Sequence, residues 1–354
     1  MHKPDAPLSA STFTPAAKRL RILIVTPAAP GSRNGNRTTA ERWARHLRAL
    51  GHETCVALEW DGRDCDVLIA LHARRSHAAI KAWKAAHPER PLVLVLTGTD
   101  LYRDIRCDAQ ARESLRLADR MVVLQTKGLD ELTAAQGAKT RVIFQSVRAL
   151  ARQPRPSSYF LATVIGHLRE EKDPFRTARA LAHLPPSRIR VVQMGKAMTP
   201  EMELQARALM RAEPRYRWLG ELDHAGAMRW LARSHAMVIS SRMEGGAHVV
   251  SEAIGIGVPV IASAIAGNIG LLGERYPAYF PFADERALAA LLARAQDDPV
   301  WLAALESAVK RRRHEVDPAT ERDAIARLLD ELPLASPVRA VAHVSAGRRK
   351  HRAC

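Results

Sequence analysis

The sequence predicts an α/β protein of two doubly wound, Rossmann-like domains facing each other across a cleft. Three observations carry that expectation. Short β-branched runs alternate with amphipathic stretches from Leu20 onward, which is the pattern of parallel sheets with helices on their faces. The chain has 354 residues, more than one ordinary core accommodates. The polar, proline-rich run RQPRPSS at 152–158 interrupts the alternation near its middle, and such residues mark a linker.

The elements follow in order. Residues 1–19 lack an apolar signal core and read as a disordered lead-in. The first strand is LRILIVT at 20–26, followed by a Gly/Asn loop. A helix is expected over 38–50, ended by Gly51. Thr38 and Glu41 have capping-box spacing, and Ala40, Trp43, Ala44, Leu47 and Leu50 form one apolar face. Strands at 67–71, 92–96, 121–124 and 141–144 complete a first domain over 20–151. A second alternation has strands at 159–165, 191–194, 216–219, 237–240 and 258–262. Helices near 175–183, 200–211, 224–234 and 286–297 accompany them, giving a domain over 159–332. A helix near 320–331 is expected to cross back to the first domain. Residues 333–354 form a basic tail without an acidic residue. No repeat of solenoid period is present.

Composition narrows the class. With 47% hydrophobic and 26% charged residues the chain reads as a soluble globular protein. No apolar run approaches the ~20 residues of a membrane span. Cys55, Cys65, Cys107 and Cys354 show no metal or C-x-x-C spacing and read as free thiols of a reducing cytoplasm. The net charge of +17 raises nucleic-acid binding, but only 5% of residues are aromatic and no stacking platform is visible. A basic surface around an anionic-substrate cleft fits better, with a cluster at 310–313 and a solvated tail.

The segment EGGAHVVSEAIGIGVPVIAS at 244–263 is the most specific motif. A glycine pair lets backbone approach a ligand, and a helix starting there offers N–H groups to a diphosphate. If that run is helical, Glu244 and Glu252 stand roughly 12 Å apart. The segment resembles the donor-binding motif of GT-B glycosyltransferases of the group 1 type. That resemblance implies a UDP-sugar held by Glu252 at the ribose and by Glu244, Gly245 and Gly246 at the sugar. GHLREEK at 166–172 is similar to the family's Gly-Arg-Leu…Lys signature, which implies that Lys172 stabilises the departing diphosphate. His167 stands at the arginine position, and Arg169 is the candidate substitute. YRWLGEL at 216–222 resembles the strand end that presents backbone to the base, here Leu219 and Gly220.

On the first domain, PGSRNGNR at 30–37 offers backbone amides and guanidiniums to an anion. Its spacing matches neither a Walker loop nor G-x-G-x-x-G. Gly31, Arg33, Asn34, Asn36, Arg37 and Thr38 are the candidates there. LHARRS contributes His72, Arg74 and Arg75, and LTGTDLYR contributes Thr97, Gly98, Thr99, Asp100 and Arg103 where many family members have a histidine. Lys127 is a further cation near a strand end. Asp64-Cys65-Asp66 has the D-x-D form of metal-dependent transferases, but it precedes a strand in the wrong domain and reads as a turn.

GNRTTAERW, LHARRS, LTGTDLY and SRMEGGAHVVSEA together resemble the selenosugar synthases of selenoneine biosynthesis, over about residues 20–332. That resemblance implies transfer of a sugar from a UDP-sugar to selenium of selenophosphate, with no cofactor and no metal. Selenophosphate is a small, charged, strong nucleophile, which fits a wall of Arg33, Arg37, Arg74, Arg75, Arg103 and Lys127. A hydroxyl acceptor would gain ~10²–10⁴ in rate from a general base. Two other readings stay open on the residues: an ordinary glycosyltransferase acting on a hydroxyl, and a basic nucleic-acid-binding protein with steep salt dependence.

Overall fold

The structure is a computed structural model, and it describes residues 19–334 other than 33, 34 and 149. Two sheets of six parallel strands each form the frame. The first contains β1 (Arg21–Val25), β2 (Glu53–Ala57), β3 (Val67–Leu71), β4 (Leu92–Leu96), β5 (Arg120–Val123) and β6 (Thr140–Val142). Its order is β2-β1-β3-β4-β5-β6. The second contains β7 (Phe160–Ile165), β8 (Ile189–Met194), β9 (Tyr216–Trp218), β10 (Ala236–Ile239), β11 (Val260–Ser263) and β12 (Tyr279–Phe280), in the order β12-β11-β10-β7-β8-β9. Two facing doubly wound sheets are the GT-B architecture. β3 (VLIAL) and β4 (LVLVL) are apolar at every position and wholly buried, because helices cover both faces of a parallel sheet.

Strand order decides where a site can form. The chain leaves β1 to one side for β2 and returns on the other side for β3. It does the same around β7, with β8 and β9 to one side and β10 to the other. The crevices outside the carboxyl ends of β1/β3 and β7/β10 are therefore the two switch points where open α/β sheets take ligands.

Several elements differ from the sequence reading. The first helix spans Gly35–Ala49, so Thr38 lies inside its first turns and is no cap. Glu41 instead accepts from Arg37 Nε at 2.6 Å, an i,i+4 pair. β2 is an added edge strand with two of its five residues exposed. Helices His77–Ala86, Ala109–Leu117, Ala266–Leu272 and Pro299–Arg311 and strand β12 are likewise additions.

Helix Pro318–Asp330 returns to the first domain. Its Ile325, Leu328 and Leu329 join the core formed by Trp43, Leu47, Ile69 and Val95. Glu321 enters that contact fully buried. It accepts from Arg42 Nε at 2.9 and 3.1 Å, Trp43 Nε1 at 2.9 Å and the Ser146 amide at 2.9 Å, and it meets His46 Nε2 at 3.2 Å. Burial alone would raise its pKa. Arg42, then the bonds from His46 and Ser146, overcome that and hold it near 2.

The basic cluster at 310–313 is only partly surface charge. Arg313 Nη2 donates to the Ile256 carbonyl at 2.7 Å and Arg312 Nε to the Leu271 carbonyl at 2.7 Å. Each thus closes the C-terminal end of a helix, where orphan carbonyls and the helix dipole favour a cation.

Candidate active site

Lys172 and Glu244 come from the two segments that flank the β7/β10 switch point, and the structure joins them. Lys172 Nζ lies 2.5 Å from Glu244 Oε1, and Ser241 Oγ donates to the same oxygen at 2.6 Å. Ser241 is fixed in turn, because Ser263 Oγ holds its carbonyl at 2.7 Å and Asn268 Nδ2 holds Ser263 Oγ at 3.1 Å. The Lys172 turn is pinned by Ser240 Oγ, which donates to the Asp173 carbonyl at 2.8 Å. A hollow beside them is lined by Ile165, Gly166, His167, Lys172, Gln193 and Ser241. Arg169 is exposed at the rim. His167 accepts the Lys196 amide on Nδ1 at 3.2 Å, and burial lowers its pKa. A neutral imidazole therefore stands where the family's arginine would bring a charge.

The carboxyl ends of β7, β8 and β9 finish in Gly166, Gly195 and Gly220, all at positive φ. A Cβ on Gly195 would lie 2.0 Å from the Gly166 carbonyl oxygen. The rim of this sheet edge is thus bare backbone, with Leu219 and Gly220 on its outer side. Gly195 was not singled out in the sequence, although G-K following an apolar strand is a signal of that kind.

Glu252 sits on helix His248–Ile256. Glu244 precedes that helix in a loop, so the two glutamates do not share one helical face. Glu252 Oε1 meets His224 Nε2 at 2.6 Å and lies 3.6 Å from His248 Nε2. The bond to Glu252 raises the His224 pKa, whereas burial pushes His248 down to about 4. Neither histidine lies in a motif position that the sequence marks.

The glycine pair meets the first domain. A Cβ on Gly245 would stand 2.3 Å from the Thr97 carbonyl oxygen, and one on Gly246 would stand 2.6 Å from Leu124 Cβ. Gln145 Nε2 donates to the Gly246 carbonyl at 2.5 Å, and its Oε1 accepts from Thr39 and Arg42. What these glycines accommodate here is the opposing domain. Lys127 also serves this seam: it pairs with Glu274 at 2.5 Å and Asp130 at 3.3 Å, which ties up the ammonium expected for an acceptor.

Across the cleft, His72, Arg74 and Arg103 gather around Asp104, with Thr99 against His72. Arg74 Nε and Arg103 Nε donate to the two Asp104 oxygens at 3.0 and 2.9 Å. His72 has φ 74° and is buried. Its Nδ1 accepts the Arg75 amide at 3.3 Å and its Nε2 meets Thr99 Oγ1 at 3.1 Å. Burial lowers its pKa. Asp100 is not open to a ligand in this geometry. It is fully buried and accepts the amides of Ala73, Thr97 and Gly98, which clamps two strand ends together.

On the other loop, Gly31 is exposed at φ 76°, Asn36 and Arg37 are half-buried and Thr38 is exposed. Arg33 and Asn34 lie outside the described residues. Asp64 and Asp66 are taken up by Arg21 and Arg90. Among the described residues no group of three His, Cys, Asp or Glu side chains is arranged to hold a metal ion.

Residues 148–314 match the family model described as Glycosyl transferases group 1. That stretch, which contains the second sheet, is similar to group 1 glycosyltransferases. The chain is 26% identical over 267 residues to "Glycosyltransferase 1 domain-containing protein 1" of Xenopus tropicalis, covering 67% of this chain and 77% of that one. Among solved structures, it is similar to Anabaena HepE in complex with UDP and glucose (TM-score 0.70, 17% identity, 89% of this chain and 100% of that chain). It is also similar to sucrose-phosphate synthase of Thermosynechococcus elongatus (TM-score 0.71, 16% identity, 89% and 99%). At these identities the likeness is one of fold, and it extends across both domains. No helix among the described residues is long and apolar enough to cross a membrane.

Proposed function

We propose that the protein transfers the sugar of a UDP-sugar, UDP-N-acetylglucosamine or UDP-glucose, to the selenium of selenophosphate in selenoneine biosynthesis. On the donor side, support comes from the family match and from HepE, a protein of this fold whose structure holds UDP and glucose. The diphosphate meets Lys172, with Arg169 at the rim. Lys172 then exchanges its bond to Glu244 for one to the phosphate. Glu244 and the Gly245/Gly246 backbone turn to the sugar hydroxyls. Glu252 holds the ribose, and Leu219 and Gly220 present backbone to the base. Charge grows on the leaving diphosphate in the transition state, so a fixed cation there lowers the barrier.

The acceptor assignment is carried by one observation: two arginines share the single buried carboxylate of Asp104. With Arg75 added and the buried Asp100 set against it, the group around His72 keeps one positive charge, suited to a small anion. The nearby His72 has both ring nitrogens engaged and a lowered pKa, so it is poorly placed to take a proton from a hydroxyl. Selenophosphate does not need that help. Its selenium attacks the anomeric carbon, the bond from that carbon to the UDP oxygen breaks, and UDP leaves. Water then cleaves the selenium–phosphorus bond, giving the 1-seleno-sugar and phosphate. Substrates suffice for this scheme, with no resident cofactor or metal.

The test is mass spectrometry of purified protein with each UDP-sugar under anaerobic, reducing conditions, with and without selenophosphate generated in place. The expected product is a seleno-hexose with the selenium isotope pattern, formed only with selenophosphate. Sugar transfer to hydroxyl acceptors with no seleno-product would overturn the acceptor assignment and leave the glycosyltransferase standing. Salt-sensitive nucleic-acid binding without any UDP-sugar binding would overturn both.

A further inference from the structure

We propose that His224 is a positioning residue that holds one oxygen of Glu252, so that the other oxygen faces the ribose diol of the donor nucleotide. This rests on the donor reading above. The geometry supplies the reason. A glutamate side chain has several rotatable bonds and loses much rotamer freedom when it is fixed. His224 Nε2 meets Oε1 at 2.6 Å, and His248 Nε2 approaches the same oxygen at 3.6 Å. Both contacts fall on Oε1, which leaves Oε2 for a ligand.

The imidazole is delivered from a fixed point. His224 opens helix His224–Arg233, and Asp223 caps that helix by accepting the Gly226 amide at 2.8 Å. A Cβ on Gly226 would stand 2.6 Å from Asp223 Oδ1, so a side chain there would shift the capping carboxylate. The same segment follows β9 and its bare backbone rim at Leu219 and Gly220. His224 thus connects the rim expected at the base to the carboxylate expected at the ribose.

The groups facing this pair are few. Asp223 and Glu252 favour a proton on His224, and desolvation opposes it. His248 is held neutral near 4 by burial, so it flanks Glu252 without adding charge. Beyond His248 stand Arg42 and Glu321 of the opposing contact, which act on it in opposite directions. Below the raised pKa of His224 the bond to Glu252 joins two opposite charges. Above it, the neutral ring still donates from Nε2, but more weakly.

The experiment is calorimetric titration of the full chain with UDP and with 2′-deoxy-UDP, for wild type, His224→Ala and His224→Asn. Wild type is expected to bind UDP about tenfold more tightly than the deoxy ligand, the scale of a hydrogen bond to a charged group. His224→Ala is expected to weaken UDP about tenfold, leave the deoxy ligand within about twofold, and so erase the discrimination. His224→Asn, which keeps a donor, should recover part of it. Donor KM should rise in His224→Ala while kcat holds.

A merely structural role would weaken both ligands together, and that result overturns the proposal. So does an alanine variant that keeps the wild-type ratio. A wild type that binds UDP without sensing the 2′-hydroxyl removes the ribose contact, and this inference with it. A wild type that binds neither UDP nor a UDP-sugar sinks the donor reading itself.

Discussion

Two basic–glutamate pairs stand on either side of the domain seam, and they differ in what is left over. Arg42 and Glu321 have side chains 6% and 0% exposed, and Glu321 draws on Arg42, Trp43, His46 and the Ser146 amide. Both of its oxygens are used. Lys172 and Glu244 are 22% and 8% exposed, and both bonds fall on one carboxylate oxygen at the edge of a hollow. In the first pair the carboxylate is saturated, and it holds a helix to a domain. The second is half satisfied and can exchange partners at low cost. Burial of a charge is no mark of function; unspent hydrogen-bonding capacity at a switch point is the better one.

Breaking the pair with the saturated carboxylate should have the largest effect. Glu321→Ala leaves Arg42 buried without its counter-charge and should cost about 3–5 kcal/mol of stability, read from chemical denaturation. The pH dependence has a definite sign. The folded pKa of Glu321 is depressed from 4.5 to about 2. Its stabilisation is therefore present above the unfolded value and is lost as pH falls from about 4.5 through about 2. Glu321→Gln should flatten the acid limb of the stability curve.

Breaking the half-satisfied pair should act on rate. Lys172→Ala should lower kcat by about 10²–10³-fold, while it costs less stability than Glu321→Ala, because Ser241 still donates to Glu244. The reverse pattern would mean that the roles of the two pairs have been exchanged.

The seam between the pairs should be less sensitive. Gly246→Ala drives a Cβ to 2.6 Å from Leu124 Cβ and 2.8 Å from Gln145 Nε2. An overpacked contact of this kind should cost about 1–3 kcal/mol, measurable as a lowered melting temperature. The smallest effect is on the alkaline side of donor binding. His224 has a raised pKa through its bond to Glu252. UDP affinity should therefore fall as pH rises through that value, by less than about tenfold, and the drift should vanish in His224→Ala.

Legibility in the sequence followed the range of the signal. β3 and β4 were readable because strands covered on both faces are unbroken apolar runs. β2 was not, because ETCVA at a sheet edge carries no such run. Helix Ala266–Leu272 was missed because AGNIGLL contains two glycines. Their lack of side chains lets it lie against the Glu244 carbonyl and the Gln125 side chain. Thr38 and Glu41 had the spacing of a cap but not its place, since the helix begins at Gly35.

Lys172 and Glu244 were legible through local motifs around each, although 72 positions separate them. Arg42 and Glu321, 279 positions apart, carry no local motif and become visible only when the last helix docks. Asp100 shows the opposite failure. A polar residue at a strand end suggested a ligand, but three backbone amides had the prior claim on it.

The most direct test is the rate of UDP release from UDP-N-acetylglucosamine and UDP-glucose with selenophosphate, compared with inorganic phosphate at equal concentration. On this account the arginines around Asp104 bind both anions, but only selenium is the proposed nucleophile. The account predicts UDP release that depends on selenophosphate, matched by phosphate and seleno-sugar in equal amounts, with inorganic phosphate acting as an inhibitor. UDP release at the same rate with inorganic phosphate, or only with a hydroxyl acceptor, would contradict it.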